Sequence, residues 1–185
     1  ELWRPMTVTD AGLEHLKGLT NLENLDLSGT NLIEANLIGA DLIGAIFIVA
    51  DLTNADLSGA NLSGAKLEGA ALHANLEGVD LEGADLSAAS LIGADLEMAR
   101  MVGISGNPLE LPQGYVVVKN NIIGPKVNLI GADLIGAILE RADLRGANLA
   151  GANLDRVDLS EARTDGHTTW PNGFDPQAAG VLFED

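Results

Sequence analysis

A Leu returns at every fifth residue along most of this chain. Between Ala50 and Ala70 the sequence reads ADLTN ADLSG ANLSG AKLEG A. Leu52, Leu57, Leu62 and Leu67 fall on the beat, and an Ala stands two residues before each. That spacing excludes the two ordinary elements. An amphipathic helix needs apolar residues three and four apart, and a half-buried strand needs alternation. A chain that buries one Leu in five must turn a corner every five residues. Such sides close one coil in about twenty residues, and coils stack at the strand spacing of about 4.8 Å. The Leu and the Ala before it point inward, and the remaining positions face water. Gly recurs two residues after the Leu, as at Gly39, Gly44, Gly59, Gly64 and Gly69, where it eases the corner. Glu34, Asn54 and Arg141 occupy the same place, so the corner does not strictly require Gly.

The motif A-(D/N)-L-x-G resembles the pentapeptide-repeat family. Repeat centres run from Leu27 to Leu72, resume from Leu76 to Met101, and resume again from Leu129 to Leu159. The resemblance covers Leu25 to Ala162. It implies an all-β solenoid, a right-handed quadrilateral β-helix, to which the flanking sequence adds short capping helices. The insertion Leu111-Pro112-Gln113-Gly114 with Gly124-Pro125 is similar to insertions in cyanobacterial members, which implies a cyanobacterial source.

The beat divides the chain. Residues 1–24 form an N-terminal cap: Thr9-Asp10 caps a short helix, and Leu22 to Leu32 matches one leucine-rich repeat. Residues 25–103 are coils, with one residue missing between Leu72 and Leu76, so a tightened corner is expected near His73-Ala74. Residues 104–126 break the beat as an inserted hairpin, with a strand at Tyr115–Lys119, a turn at Asn120-Asn121 and a short return at Ile122-Ile123. Coils resume over residues 127–163. Residues 164–185 hold Trp170, Phe174 and Phe183, and Asp175-Pro176 reads as a helix start in a C-terminal lid. The whole is one elongated domain, since a solenoid has no natural internal boundary.

Composition narrows the chemistry. Aromatic residues are only 3% of the chain, so the core is a Leu/Ala column. There is no Cys, which rules out disulfides and thiol chemistry. No apolar run is long enough to span a membrane. A formal charge of -17 argues against binding nucleic acid phosphates or an anionic membrane. The chain starts Glu1-Leu2-Trp3 without Met, as in a processed or trimmed protein; the sequence leaves the compartment open between the cytoplasm and, if the N-terminus is processed, the periplasm or thylakoid lumen that the resemblance implies.

No arrangement in the sequence carries a reaction. His15, His73 and His167 are far apart in the expected stack, and there is no phosphate-cradling Gly loop or H-E-x-x-H motif. The expectation is a protein that is not an enzyme and uses no cofactor and no metal. Stacked carboxylates would repel or hold Ca²⁺, and the sequence avoids stacking them. The columns before the Leu read Asn36/Asp56/Asn75/Asp95 and Asp41/Asn61/Asp80/Arg100, with Lys66 beside Asp85 and Asp143 beside Arg163.

Function therefore concerns surfaces. Ile33, Ile38, Ile43 and Ile48 occupy the outward position after the Leu on four successive sides of one coil, where Ser, Thr or Glu is commoner. Such a ring suits a contact surface. With Tyr115, Val117, Asn120 and Asn121 of the hairpin it makes the leading expectation a non-catalytic scaffold for protein–protein interaction, its partner not specified; a homo-oligomer through the apolar ring would use the same surface. The alternative starts from charge. Glu23 to Glu97 holds 13 acidic residues against Lys66 alone. At roughly 18 Å of stack this approaches the charge density of B-DNA. Some pentapeptide-repeat proteins are DNA mimics that bind gyrase, a type II topoisomerase, and the resemblance extends that role to Asp41, Asp51, Asp56, Asp80, Asp85 and Asp95.

Overall fold

A computed structural model describes residues 25–184. Its unit is the five-residue corner. The Leu carbonyl accepts a hydrogen bond from the Ala three residues on, as from Ala35 to Leu32 (3.0 Å), Ala40 to Leu37 (3.1 Å) and Ala55 to Leu52 (3.0 Å). The residue between, two after the Leu, takes positive φ: +63° at Gly39, +66° at Gly59. That is a type II turn, whose third position favours Gly because a Cβ is strained there. Glu34 (61°), Val49 (58°), Asn54 (59°), Met98 (59°) and Arg141 (61°) accept the same strain.

Each corner is fastened to the next coil. Leu32 N–H donates to Asp51 O (2.7 Å), and Asp51 N–H returns to Thr30 O (3.0 Å). Repeated around the coil, such bonds give parallel bridges between residues twenty apart, such as Asn31 with Asp51, Asn36 with Asp56, Asp41 with Asn61 and Ile46 with Lys66. The bridges define columns, and the register is the one read from the beat: Asp56 meets Asn75, Asp80 meets Arg100, Lys66 meets Asp85 and Asp143 meets Arg163. Inside run the buried Leu and Ala side chains, with Phe47 and Met101 taking two of the Leu places.

The expected right-handed quadrilateral β-helix with short capping helices needs correction. Among the described residues there are four short strands, β1 (Val116–Val118), β2 (Asn121–Ile123), β3 (Arg163–Thr164) and β4 (Leu182–Phe183). Among these residues they form two separate two-stranded sheets and no closed sheet, and no helix is present in the described part of the chain. The beat itself is the reason. A side contributes a single bridging residue before the next turn begins, so none reaches the usual strand length of about five residues. At Asp175 the N-cap bonds do form, from Gln177 N–H (3.0 Å) and Ala178 N–H (3.1 Å). Only one further turn follows, Ala179 N–H to Asp175 O (3.2 Å), before Gly180 leaves at φ +81°. The cap read from residues 1–24, with its helix, lies outside the described residues.

Two irregularities shape the stack. At His73-Ala74 the corner loses its type II turn, the bridge step drops from twenty residues to nineteen (Asp56 with Asn75), and the columns are kept. Between Arg100 and Asn128, still bridged to each other, the coil carries the insertion. There β1 and β2 pair antiparallel as a hairpin, Val116 with Ile123 and Val118 with Asn121. The turn is Lys119-Asn120, at φ 48° and 62°, one residue earlier than the sequence reading. Positive φ at both positions is the type I′ turn, which matches the twist of paired strands. At the far end β3 and β4 pair in parallel, and Trp170 stacks on Phe174 at 5.2 Å.

Candidate protein-contact surfaces

The apolar ring follows from turn geometry. An Ile directly after the Leu is the second residue of a type II turn, whose side chain projects from the coil. Ile33, Ile38 and Ile43 are exposed by 41%, 45% and 45%; Ile48 is half-buried, while Val49 beside it is exposed. The bridging residues beside them, Asn31, Asn36, Asp41 and Ile46, belong to different columns. The structure thus keeps the ring around one coil and does not gather it into a single patch. Two neighbouring sides, with Ile38 and Ile43, are what one partner could cover.

The hairpin divides the four residues expected there. Tyr115 is half-buried and its hydroxyl donates to Pro125 O (3.0 Å). Burial, then the charges of Asp95, Asp143 and Glu97, push its pKa up to about 12. Gly124 lies under the ring; a Cβ there would stand 2.2 Å from Tyr115 Cδ1. Val117 is partly buried and packs on the core. Asn120 is exposed at the turn. Asn121 is corrected as a contact residue: it is only 2% exposed, donates to Val118 O (3.3 Å) and Lys119 O (2.7 Å), and accepts from Gly103 N–H (3.2 Å). Its amide is spent on holding the turn to the coil.

The acidic residues turn out to have local work. Asp51 accepts from Thr53 N–H (3.0 Å), Asp56 from Ser58 (3.0 Å), Asp80 from Glu82 (2.9 Å), Asp85 from Ser87 (3.0 Å) and Asp95 from Glu97 (3.0 Å). Each closes an Asx turn over its own corner. The Ser87 hydroxyl and amide also hold the Asp85 pKa below its ordinary value. Asp41 is the exception, with Oδ1 buried and unpartnered. The six belong to four columns: Asp41 with Asp80, Asp56 with Asp95, Asp51 alone and Asp85 alone. Lys or Arg answers several neighbours, as Arg100 does Glu82 (2.9 Å) and Lys126 does Glu97 (2.9 Å).

One charge cluster is partly buried. Asp143, 6% exposed, takes Arg145 at 2.6 Å and Arg163 at 2.8 Å, and Glu184 stands 3.3 Å from Arg145. Burial pushes the Asp143 pKa up, but hydrogen bonds from Arg145 and the charges of both guanidinium groups outweigh it, and the net shift is downward. Down another column His73 Nε2 lies 2.9 Å from Ser90 Oγ, which donates to Glu110 (2.8 Å). The Ser proton is directed to the carboxylate, so His73 is not set up as its base. Among the described residues no group of His, Asp and Glu could hold a metal ion, and no helix is long and apolar enough to cross a membrane.

The sequence reading missed some exposed apolar residues. Ile138 is 72% exposed, and its signal was available: it stands before Leu139, where Asp or Asn is usual. Leu109, Val116, Leu182 and Phe183 are exposed as well.

The family model for pentapeptide repeats matches the chain in 8 copies, over residues 20–48, 36–73, 72–105 and 126–163. The chain belongs to the pentapeptide-repeat family. Among solved structures it is similar to HetL, a pentapeptide repeat protein involved in heterocyst differentiation regulation from the cyanobacterium Nostoc sp. strain PCC 7120, at 34% identity over 83% of this chain and 71% of HetL, with a TM-score of 0.34. It is similar to alr5209 of Nostoc PCC 7120 at 27% identity over 98% of this chain and 100% of that one, TM-score 0.25. Rfr23 of the cyanobacterium Cyanothece 51142 matches at 29% identity over 83% and 69%, TM-score 0.26. A search of curated proteins finds no match.

Proposed function

We infer that the chain is a non-catalytic scaffold that binds another protein through its apolar turn positions. One observation carries this reading. Ile33, Ile38 and Ile43 are more than two-fifths exposed at a turn position where the stack itself requires nothing apolar. Asn31 and Asn36 beside them are taken up in Asx turns, and the exposed side chains at the turn position offer apolar contact. Ile38→Asp with Ile43→Asp should abolish partner capture and leave the thermal unfolding midpoint in place. Capture that survives both changes would sink the reading.

The DNA-mimic reading keeps one observation in its favour, the 13 acidic residues between Glu23 and Glu97. It predicts gyrase binding that fades with salt and with Asn at positions 41, 56 and 80. The spread of the carboxylates over four columns weighs against it.

A further inference from the structure

Each regular coil hands its backbone groups to the next. Leu134 N–H donates to Asn153 O (3.0 Å), Gly136 N–H donates to Asp155 O (2.7 Å), and Ala132 O accepts from Asn153 N–H (2.9 Å). Leu154, Arg156 and Ala152 hold the same places one coil later. Among the described residues their corresponding N–H, N–H and C=O groups have no partner. The lid is the reason. Thr169 still bridges Asn148, but the turn that follows runs from Pro171 to Phe174 (3.1 Å), and no described residue beyond it bridges Asn153. Pro171 itself has no N–H to offer. The coil is uncovered on this side: Ala152 and Leu154 are 6% and 8% exposed, against 0% for Ala132 and Leu134.

The unpaired groups and the space beside them belong to the same residues. A cleft of about 670 Å³ has Gly151 to Arg156 on one wall and Pro171 to Phe174 on the other. The N–H groups of Leu134 and Gly136 reach the next coil along the stack, so those of Leu154 and Arg156 point across this cleft. Arg156 adds a charge. Arg100, Lys126, Arg141, Arg145 and Arg163 each have a carboxylate partner, while among the described residues Arg156 pairs with none, Asp155 beside it included. A neighbouring side shows what such an Arg binds. Arg141 occupies the same turn position as Arg156, at φ 61° against 58°, and its Nε donates to Glu161, twenty residues on (2.7 Å).

We propose that this cleft binds a short peptide segment of a partner protein, which repeats over this side the turn that a further coil would make. Its first residue gives a carbonyl to Leu154 N–H and an N–H to Ala152 O. Its second is apolar and covers Leu154. Its third gives a carbonyl to Arg156 N–H. Its fourth is Glu, seated on Arg156 as Glu161 is on Arg141. The cleft has the size of an ordinary ligand site, roughly 300–1,000 Å³. Backbone pairing supplies affinity, and the apolar-x-Glu spacing supplies specificity. A free carboxylate or phosphate has no N–H for Ala152 O. A whole coil of a second copy is blocked, because Thr169 and Leu182 already cover two other sides. The site lies on a different surface from Ile38 and Ile43, and it stands or falls separately from the scaffold reading.

The test reads the whole chain against an array of end-blocked heptapeptides with a fixed Leu-x-Glu core and random flanks, beside a matched Leu-x-Gln array. Binders should come from the Glu array. Their affinity should fall about tenfold with Arg156→Gln, and about tenfold or more with Asn172→Trp, which fills the cleft from the opposite wall. Arg141→Gln should leave it unchanged. Both altered side chains on the cleft are exposed and stand on opposite walls, so a folding failure in one leaves the other decisive. Amide exchange at Leu154 and Arg156 should slow in the complex, which a contact with the guanidinium alone would not produce. Equal recovery from the two arrays, affinity unchanged in both cleft variants, or unslowed exchange at Leu154 overturns the proposal. Recovery of no binder overturns it as well, while partner capture and its loss in Ile38→Asp with Ile43→Asp still report on the scaffold reading alone. Self-association of the free chain that disappears with Arg156→Gln would put a second copy in the cleft and also overturn it.

Discussion

At the scale of single residues, the corner sets a steric demand that the sequence only partly meets. Val49 is the sharpest case: a β-branched residue, 65% exposed, held at φ 58°. The left-handed region costs an L-residue about 1–2 kcal/mol, of which the looser unfolded chain of a Gly variant takes back part. Val49→Gly should therefore raise the unfolding free energy by about 1 kcal/mol, read as a higher denaturant midpoint; a lower midpoint would contradict the strain. Asp143 makes the opposite case, a carboxylate the fold needs charged. Asp143→Asn keeps the local turn acceptor but loses two guanidinium partners, and should cost about 1–3 kcal/mol at neutral pH. Since the folded pKa is depressed, that stabilisation is complete above the unfolded value of about 3.9 and is lost as pH falls through the folded one. Acid unfolding curves of the two proteins should converge below about pH 4.

At the scale of elements, the hairpin depends on one close contact. Gly124 has no positive φ, so its need for Gly is purely a matter of the Tyr115 ring lying where a Cβ would go. Gly124→Ala should cost about 1–3 kcal/mol, and Tyr115→Ala in the same chain should relieve most of it; a full cost in the double variant would mean the backbone, not the ring, is at issue. Tyr115 also gives the hairpin an alkaline limit. Its folded pKa, about 12, lies above the ordinary value of 10, so its contribution is intact below pH 10 and declines as pH rises toward 12. Tyr115→Phe should remove that decline. The sequence disclosed the hairpin through its Val run and flanking Gly-Pro, but set the turn one residue late. Lys119 and Asn120 take positive φ, while Asn121 is paired in β2 and accepts from Gly103 N–H, a partner distant in sequence.

At the scale of the whole molecule, stability resides in contacts between successive coils. Leu62 is fully buried in the middle of the first run, while Leu154 near the far end is 8% exposed. Leu62→Ala should cost about 2–5 kcal/mol, and Leu154→Ala visibly less, by chemical denaturation. Equal losses would mean that the stack does not depend on position. The charge also belongs to this scale. The 13 acidic residues between Glu23 and Glu97 were the ground for a DNA-like acidic face, but the coil distributes Asp41, Asp51, Asp56, Asp80, Asp85 and Asp95 around its girth because successive repeats take successive columns. The same rotation spreads the Ile ring.

The repeat alone determined the column register, the buried Leu and Ala positions and the outward Ile positions. All three follow from a local turn of fixed length, and a local rule can be read from local sequence. It misled on strands and helices, since a five-residue side ends before a strand can lengthen and Asp175 to Ala179 meets Gly180 after one turn. Tertiary structure decided what a repeat cannot encode. It buried Asn121 against Gly103, laid Tyr115 over Gly124 with its hydroxyl on Pro125, and set Val116 beside Ile138. Each of these depends on where the inserted residues come to rest, which the period of the repeat does not specify.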